Sequence, residues 1–372
     1  MNPIFIGSAK RLLVSPRNER WRATAVSTLA APVIRHLANL CEINDLPIDE
    51  VILGNALYGG GNPARLAALE AGLDESVFAS TVDTQCCSGM DAILYAASKI
   101  ASGRAHVIIA GGVESYSRSP IRQHRALSKS GEHVAYERPP FTPWPNRDPD
   151  LIEAAANFAA INKITRDEQA AFACISHRKA MSATFENELV SSSNEVRDDF
   201  SRNLKPSVCD RLPLLVGDPV FGLTSATVAV EADGAAAVLV LSEWACNRLS
   251  MTDALRMCSF RQAGGLADQP ILAGLNAASS LIQDLGRELT VVEFMESFAA
   301  QAMVWARELR VEDDQLNRSG GALSRGHPIG ASGAILIVRL FYELMKEPAE
   351  TLGLAAIAAA GGLGSAALLQ KC

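Results

Sequence analysis

The sequence predicts an α/β protein with a duplicated core and an inserted segment. Two stretches, residues 87–115 and 330–365, share one plan: a Ser-Gly pair, an apolar helix, a polar turn and a small-residue strand ending in Ala-Gly-Gly. Strand–helix–strand units of this kind build mainly parallel, buried sheets, so two copies indicate a duplicated core. Between them, residues 116 to about 205 are richer in Pro, Arg, Ser and Asn, which indicates an insertion.

Apolar spacing defines the helix in each copy. In the first copy, residues three and four positions apart form one apolar face: Met90, Ile93, Leu94, Ala97 and Ile100. This spacing is the period of an amphipathic helix. In the second copy, residues 335–344 are apolar nearly all round, so this helix is predicted to lie in the interior between two layers.

The insertion has its own local signals. The run PPFTPWPNRDPD at residues 139–150 is typical of a loop. A helix is predicted from Thr165, where T-R-D-E forms a capping-box pattern. We interpret the insertion as a loop domain that covers the substrate, and a decorative insertion is the alternative. The predicted domains are an N-terminal half (1–115 with about 206–250), the loop domain (116–205) and a C-terminal half (251–372).

Composition limits the classes of function. The chain has 372 residues, of which 48% are hydrophobic and 20% charged, enough for a large core. A net charge of −7 without a basic cluster argues against nucleic-acid binding, although a local pocket can still hold an anionic cofactor such as coenzyme A. The most apolar stretch, residues 353–369, is divided by glycines and a serine, so it predicts a buried strand–turn–strand and no membrane span.

Cysteine usage indicates the compartment and excludes a metal site. The eight cysteines contain no CxxC pair and no repeated metal-ligand spacing, so no metal is predicted. The first residues, MNPIFIGSAK, do not have the pattern of a secretory signal. We therefore predict a cytoplasmic protein whose cysteines are free thiols, most of them buried as small apolar side chains.

Cys86 is the candidate nucleophile. It lies in T-Q-C-C-S-G-M, residues 84–90, at the entry to a helix that Ser88 and Asp91 are predicted to cap. The N-terminus of a helix carries partial positive charge, which favours a thiolate over a thiol. A buried, unreactive cysteine is the alternative interpretation of this position.

His327 is the candidate partner of that cysteine. It lies between Gly326 and Pro328 in a glycine-dense stretch, residues 320–333, that precedes the helix of the second copy. Glycines allow a positive φ and the close approach of a substrate. A lone histidine is usually structural, but this one is predicted to face the same cleft as Cys86. A cysteine with a histidine suits thioester chemistry, because the imidazole can assist the thiol or donate to an oxyanion.

Six segments resemble the thiolase family, in family order and over nearly the whole chain. They are EVILGNALYGGGNPAR (50–65), QCCSGMDAI (85–93), AGGVESYS (110–117), ANFAAINKITRDEQAAFACISHRKA (156–180), ADGAAAVLVLSE (232–243) and NRSGGALSRGHPIGASG (317–333). The resemblance implies a five-layered α/β/α/β/α core and a homodimer or homotetramer. It also implies an acyltransferase that uses a coenzyme A thioester as its substrate and has no permanently bound cofactor.

The same resemblance implies roles for individual residues. Cys86 would carry the acyl group, and His327 would lower the pKa of its thiol and help to stabilise the thioester oxyanion. The backbone N–H groups of Cys86 and Ala360 are the implied oxyanion donors. The implied substrate-binding residues are Gly326, Ser115, Phe298 and Met295.

Two positions depart from the family pattern. Ala358 occupies the place of a second cysteine that moves a proton on the attacking acyl-CoA, and Met295 replaces an asparagine that holds a water in an oxyanion hole. General acid–base help is worth roughly 10²–10⁴-fold, so ordinary Claisen chemistry should be crippled. The segment that holds the adenine of coenzyme A is short, near residues 206–222, and Ala229 replaces a serine that contacts pantetheine. The donor is therefore either an acyl-CoA or an acyl-carrier-protein thioester.

Three functions are open on the sequence alone. The first is carbon–carbon bond formation or cleavage, with His327 or Glu296 as a replacement base, or with an acceptor activated by decarboxylation or by an electron-rich ring. The second is acyl transfer from Cys86 to an oxygen, nitrogen or sulfur acceptor or to water. The third is a non-catalytic subunit of a complex, against which the intact Cys86 and His327 motifs argue.

Overall fold

A computed structural model describes residues 2–127, 131–136, 138–190, 196–283 and 285–372. Small stretches of the predicted loop domain thus lie outside the described residues. The first half of the core contains, in chain order, β1 (Ile4–Arg11), β2 (Ser15–Pro16), α1 (Val26–Glu42), β3 (Glu50–Gly54), α2 (Pro63–Glu70), β4 (Phe78–Val82), α3 (Ser88–Ala101) and β5 (Val107–Glu114).

Shorter elements follow before the chain returns to the core. They are β6 (Arg122–His124), β7 (Val134–Tyr136), α4 (Leu151–Ile161), α5 (Arg166–Ser182), α6 (Pro206–Cys209), β8 (Leu214–Val216) and β9 (Leu223–Thr224). The remaining elements are β10 (Ala232–Ser242), α7 (Glu243–Arg248), β11 (Leu255–Gly264), α8 (Leu272–Ile282), β12 (Val291–Phe294), α9 (Ala299–Leu309), α10 (Ala322–Arg325), α11 (Ile329–Met345), β13 (Leu352–Ala359) and β14 (Leu363–Lys371).

The core has five layers, as predicted. The first sheet has the strand order β4-β3-β5-β10-β1, and the second has the order β11-β14-β13-β12. A short β1–β11 pairing joins the two sheets. Helices α1 and α2 cover the outer face of the first sheet, and α8 and α9 cover that of the second. Helices α3 and α11 lie between the two sheets and share one apolar cluster with both. Each copy of the repeat therefore contributes one central helix.

The two central helices cross at small residues. A Cβ on Gly89 of α3 would come within 2.6 Å of the carbonyl oxygen of Gly330, and one on Gly333 of α11 would come within 2.6 Å of the amide nitrogen of Met90. Nothing larger than glycine fits, which explains the Ser-Gly pair in both copies. The close crossing brings the N-terminal ends of α3 and α11 together, and these ends carry the Cys86 and His327 segments.

The expectation of mainly parallel sheets is wrong. Within the described residues, only the β3–β4, β3–β5 and β12–β13 pairs are parallel. The long pairs β1–β10, β5–β10, β11–β14 and β13–β14 are all antiparallel. The reason is the connection that follows each repeat. The last strand of the repeat is not followed by another crossover to a parallel neighbour. A short turn at residues 360–362 joins β13 directly to β14, which gives the predicted buried strand–turn–strand.

The inserted segment packs over the C-terminal half of the core, with α4 and α5 against α9. Its predicted capping box is present, because the Thr165 side chain and the Glu168 side chain bond each other's backbone N–H. Its predicted boundary near residue 206 is too early. The Arg166 guanidinium donates to the carbonyl of Leu212 at 2.8 Å, and β8 and β9 pack on α4. Residues 206–224 thus associate with the insertion, and β10 is the strand that returns to the first half.

The apolar stretch at residues 353–369 belongs to β13 and β14. Among the described residues, no helix has both the length and the apolar character that a bilayer crossing requires.

Candidate active site

Cys86 lies in a tight turn immediately before α3. Gln85 has a left-handed φ of 57°, and Cys86 follows it in a single 3₁₀ turn. The Ser88 hydroxyl accepts from the Thr84 N–H at 2.9 Å, and Asp91 accepts from the Thr84 hydroxyl at 2.6 Å. Ser88 and Asp91 therefore do not cap α3 as predicted. These side chains fix the turn that presents Cys86, and α3 has no side-chain cap.

His327 is held at both its backbone and its ring. Its N–H donates to the carbonyl of Val230 at 2.8 Å, after Gly326 has turned the chain with a φ of 108°. Its Nδ1 lies 2.6 Å from the Ser332 hydroxyl, which itself donates to the carbonyl of Pro328. Ser332 must therefore accept a hydrogen bond from the Nδ1–H group, which leaves the Nε2 lone pair free. Nε2 lies 3.2 Å from the Cys86 sulfur, so the structure brings the two candidate residues together.

Burial sets the protonation state of this pair. It raises the pKa of the Cys86 thiol to about 12, and it lowers the pKa of His327 to about 4. At neutral pH the resting site thus holds a neutral thiol and a neutral imidazole. Loss of hydration therefore opposes the thiolate that the helix N-terminus was expected to favour. Transfer of a proton from the Cys86 sulfur to Nε2 would turn this neutral pair into a thiolate and an imidazolium.

Two backbone N–H groups are directed at the Cys86 sulfur. The N–H of Cys86 itself and the N–H of Ala360 lie close enough to it to counteract part of the rise in its pKa. Ala360 opens the turn between β13 and β14, in which Gly361 and Gly362 have φ angles of 74° and 79°. These glycines permit the turn that aims the Ala360 N–H, so an alanine at this position retains the donor.

Cys86 and His327 open into a cavity of about 230 Å³. Its walls come from the α3 turn, α4, the β9–β10 connection, the start of α8 and α9, and the end of β13. The lining residues are Cys86, Tyr116, Leu151, Ile152, Val228, Ala229, Glu231, Pro270, Ile271, Ser297, Phe298, Gln301, His327, Ala358, Ala359 and Ala360. Phe298 is thus in the cavity as expected, and so are Ala229 and Ala358, two of the positions that depart from the family pattern.

Glu296 does not reach this cavity, which corrects its suggested role as a base. Its carboxylate is 1% exposed and accepts from the Ser176 hydroxyl, the Asn317 amide and the Leu323 N–H at 2.6–3.1 Å. With both oxygens engaged, it ties α5 to the glycine-rich segment that precedes His327. The contacts of Glu296 are therefore structural.

Three expected substrate-binding residues also lie outside the cavity lining. Met295 is 1% exposed and packs in the central apolar cluster. The Ser115 hydroxyl accepts from the Arg118 N–H at 3.2 Å and shapes the end of β5. Gly326 acts through its backbone turn. Ser297 and Gln301, which follow Met295 along the chain, line the cavity instead.

Comparisons with known proteins identify the family of this chain. The family model described as thiolase, N-terminal domain, matches residues 4–244, and the model described as thiolase, C-terminal domain, matches residues 252–371. The chain belongs to the thiolase family.

Relatives of this thiolase are similar over their full length. A Bacillus subtilis protein provisionally named acetyl-CoA C-acetyltransferase YhfS is 36% identical, with 100% of this chain and 99% of the relative aligned. The crystal structure of the Bacillus anthracis acetyl-CoA acetyltransferase has a TM-score of 0.88 at 27% identity and covers 100% and 99% of the two chains. The Ascaris suum Acat5 thiolase in complex with coenzyme A has a TM-score of 0.88 at 26% identity, with both chains fully covered.

Glu114 is a site residue that the sequence reasoning missed. It is fully buried at the end of β5, and its carboxylate accepts from the Asn55 amide at 2.7 Å and from the N–H groups of Ala56 and Gly330. Burial raises its pKa to about 7. By bonding Gly330 it ties the first half of the thiolase core to the start of α11, one turn from His327. A glutamate within an otherwise small and apolar strand was the available signal.

The bond from His327 to Ser332 gives a first testable prediction. Ser332→Ala frees the imidazole to carry its proton on Nε2, where it cannot accept the thiol proton. We expect the rate of Cys86 acylation to fall roughly 10- to 100-fold, less than the ~10⁴-fold loss that follows removal of the orienting aspartate in a serine protease. Ser332→Thr keeps the hydroxyl and should restore most of the rate, measured by stopped-flow release of coenzyme A. Equal rates in the alanine variant and the unmodified protein would contradict this role.

Proposed function

We propose that this thiolase takes an acyl group from an acyl-CoA onto Cys86 and transfers it to a second substrate. The observation that carries the proposal is the 3.2 Å contact between the Cys86 sulfur and His327 Nε2, in a cavity that also presents two backbone donors. Coenzyme A would be a substrate here and not a resident cofactor.

The first half-reaction follows from this geometry. As the Cys86 sulfur attacks the thioester carbon, its proton passes to His327 Nε2, and the negative charge develops on the carbonyl oxygen. The N–H groups of Cys86 and Ala360 can receive that oxygen, a contribution usually worth a few kcal/mol. When the tetrahedral intermediate collapses, the bond to the coenzyme A sulfur breaks, and that sulfur takes the proton back from Nε2. The acyl group remains as a thioester on Cys86.

The second half-reaction is carbon–carbon bond formation or cleavage by a variant of the usual mechanism. The methyl group of Ala358 cannot move a proton, and among the residues that line the cavity the other titratable side chains are Tyr116, Glu231 and His327. Glu231 forms an ion pair with Arg17 at 2.8 Å and is half exposed, so it lies at the mouth. His327, which is already beside Cys86, is the best placed of the three to accept a proton.

The same alanine favours a second candidate function, acyl transfer to an oxygen, nitrogen or sulfur acceptor or to water. Such acceptors need no proton removal from carbon, so the loss at Ala358 would not matter. A non-catalytic subunit is disfavoured, because the Cys86–His327 contact and both backbone donors are in place.

Acylation of Cys86 is the experiment that tests the proposal. The protein is incubated with a panel of acyl-CoAs and acyl-carrier-protein thioesters, and the covalent adduct is followed by intact-protein mass spectrometry. An adduct with release of free coenzyme A is expected. Absence of an adduct with every donor would leave only the non-catalytic role.

We also propose a homo-oligomer that forms across the edge of the first sheet. Strand β4 is the last strand of that sheet, so one side of its backbone lacks a partner strand within the described chain. Phe78 on this strand is 62% exposed, and Leu66 and Leu69 on the neighbouring helix α2 are 51% and 40% exposed. An open edge flanked by apolar side chains is a surface that pairs readily with a second copy. A cytoplasmic location is proposed on the eight free thiols.

Phe78→Asp is expected to break this assembly. A carboxylate at the edge strand would be buried against its counterpart in the second copy, and two like charges would face each other without partners. Size-exclusion chromatography with light scattering should show a smaller species for this variant. Ile161→Asp, which changes a 79% exposed apolar residue on α4, is the matched control and should keep the parent mass. A dimeric Phe78→Asp protein would exclude this edge as the interface.

A further inference from the structure

Two cysteines are in contact where α6 packs on α5. Cys174 lies in α5 and Cys209 is the last residue of α6, and their sulfurs are 3.9 Å apart. Both are free thiols, and neither lines the cavity that contains Cys86 and His327. The proposed function therefore gives this pair of thiols no role.

The two thiols differ in their access to solvent. Cys209 is 2% exposed, within an apolar cluster to which α5, α6, α9 and α10 contribute. Cys174 packs against this cluster but is partly exposed. Burial, together with the neighbouring Cys174 thiol, raises the pKa of Cys209 to about 11. An oxidant from solvent can therefore reach Cys174 first, with Cys209 behind it as the second thiol.

This arrangement is typical of cysteines that respond to oxidants. Such cysteines are accessible and often lie next to a second cysteine that resolves the oxidised one, and disulfides that form in reducing compartments are usually transient. A disulfide bond is about 2.05 Å long, so the two sulfurs have to approach by about 2 Å. Rotation of the partly exposed Cys174 side chain to another rotamer can supply this movement.

We propose that Cys174 and Cys209 form a reversible disulfide when the protein meets a hydroperoxide, and that this bond fastens α6 to α5. The end of α6 is already attached to the start of α5, because the Arg166 guanidinium donates to the carbonyls of Cys209 and Leu212 at 3.4 and 2.8 Å. The disulfide adds a covalent attachment about two turns further along α5. It does not depend on the acyl transfer proposed above.

The reaction consumes one hydroperoxide. The Cys174 sulfur attacks an oxygen of hydrogen peroxide, the O–O bond breaks, and a sulfenic acid and water form. The Cys209 sulfur then attacks the sulfenic sulfur, so the S–S bond forms, the S–O bond breaks and a second water leaves. The two thiols together lose two electrons and two protons. Because the buried Cys209 thiol has to lose its proton, the bond should form faster as the pH rises.

Peptide mapping after treatment with hydrogen peroxide tests the proposal. Trypsin releases peptides 167–178 and 203–211, each with a single cysteine, because Lys205 precedes a proline and is not cut. Free thiols are alkylated first, and linked peptides are then identified by mass spectrometry without reductant. We expect these two peptides to be linked and dithiothreitol to separate them. Loss of free thiol at the exposed Cys258 and Cys372 shows that the oxidant has acted.

Variants identify the two partners. Cys209→Ala should abolish the linked peptides and leave Cys174 as a sulfenic acid, which dimedone captures on peptide 167–178. Cys174→Ala serves if that variant does not fold, and it should leave the buried Cys209 thiol free. Cys246→Ala is the matched control, because Cys246 is a 7% exposed cysteine of α7, and it should keep the linked peptides.

Thermal unfolding tests whether the bond fastens α6 to α5. The two cysteines are 35 residues apart, and a disulfide that closes a loop of this length usually stabilises the folded state. Oxidation should raise the Tm of the parent protein by roughly 2–5 °C, and Cys209→Ala should lose this rise. An unchanged or lower Tm in a parent protein with linked peptides would show that the bond does not fasten the two helices.

Two results would overturn the site itself. In the first, the thiols of Cys258 and Cys372 are consumed but no linked peptides form in the parent protein. In the second, dimedone labels Cys174 in the parent as fully as in Cys209→Ala, which would mean that the two sulfurs touch but cannot bond. Acylation of Cys86 is measured separately, so failure of the proposed function would leave these results unaffected.

Discussion

Cys86→Ala should abolish formation of the acyl-protein, whereas Cys87→Ala should leave it largely intact. The two thiols are adjacent in sequence but face different surroundings. The Cys86 sulfur contacts His327 and lines the cavity. Cys87 is fully buried outside the cavity lining, and its sulfur lies 3.8 Å from the carbonyl of Ile357. Only Cys86 can meet a thioester carbon and pass on its proton.

The measurement is intact-protein mass spectrometry after exposure to the best acyl-CoA donor, followed by peptide mapping of the modified cysteine. Thermal unfolding of both variants checks that they fold, because Cys87→Ala leaves a small cavity in the core between the sheets. Loss of the adduct in Cys87→Ala alone would mean that Cys87, and not Cys86, carries the acyl group. Retention of the adduct in both variants would exclude the pair altogether.

The sequence alone was sufficient for the layers of the core and for the proximity of Cys86 and His327. The Ser-Gly pairs at residues 88–89 and 332–333 revealed the repeat, and the crossing of α3 and α11 at Gly89 and Gly333 explains why the pairs are needed. Because this crossing joins the two copies at their N-terminal ends, a repeat read from sequence also predicted that Cys86 and His327 would meet.

The electrostatics of the pair could not be predicted from the local sequence. A helix N-terminus favours a thiolate, and that argument needs only the segment around Cys86. The opposing effect is burial, which depends on α4, the β9–β10 connection and the turn after β13, all distant along the chain. Burial prevails and raises the pKa of the thiol to about 12. In the proposed reaction the thiol therefore requires the neutral imidazole of His327 at the moment of attack.

Side chains that act over long sequence distances were also misassigned. Glu296 was a candidate base because a carboxylate can take a proton, but its partners Ser176 and Leu323 lie 120 and 27 residues away. Gln301, which lines the cavity, was overlooked because an amide in an apolar helix gives no sequence signal.

Ala358→Cys should create or greatly increase thiolysis of 3-ketoacyl-CoAs by free coenzyme A. The Ala358 methyl group lies at the end of β13 and lines the cavity with Cys86 and His327. A thiol there can protonate the departing carbanion as Cys86 takes the other acyl fragment. Such acid–base help is worth roughly 10²–10⁴-fold, so the variant should exceed the unmodified protein by about that factor.

The assay follows the loss of 3-ketoacyl-CoA absorbance with and without coenzyme A. Ala356→Cys is the matched control, because Ala356 lies two residues earlier on β13, is fully buried and does not line the cavity. Gain of activity in Ala358→Cys alone would mean that the site lacks only the proton carrier. It would favour an acceptor that needs no proton taken from carbon over the carbon–carbon chemistry proposed with His327 as the base. Fast cleavage by the unmodified protein would contradict this and assign the proton to another group, with His327 first. An inactive but acylated Ala358→Cys variant would instead place the defect at the second carbonyl, where Met295 provides no donor.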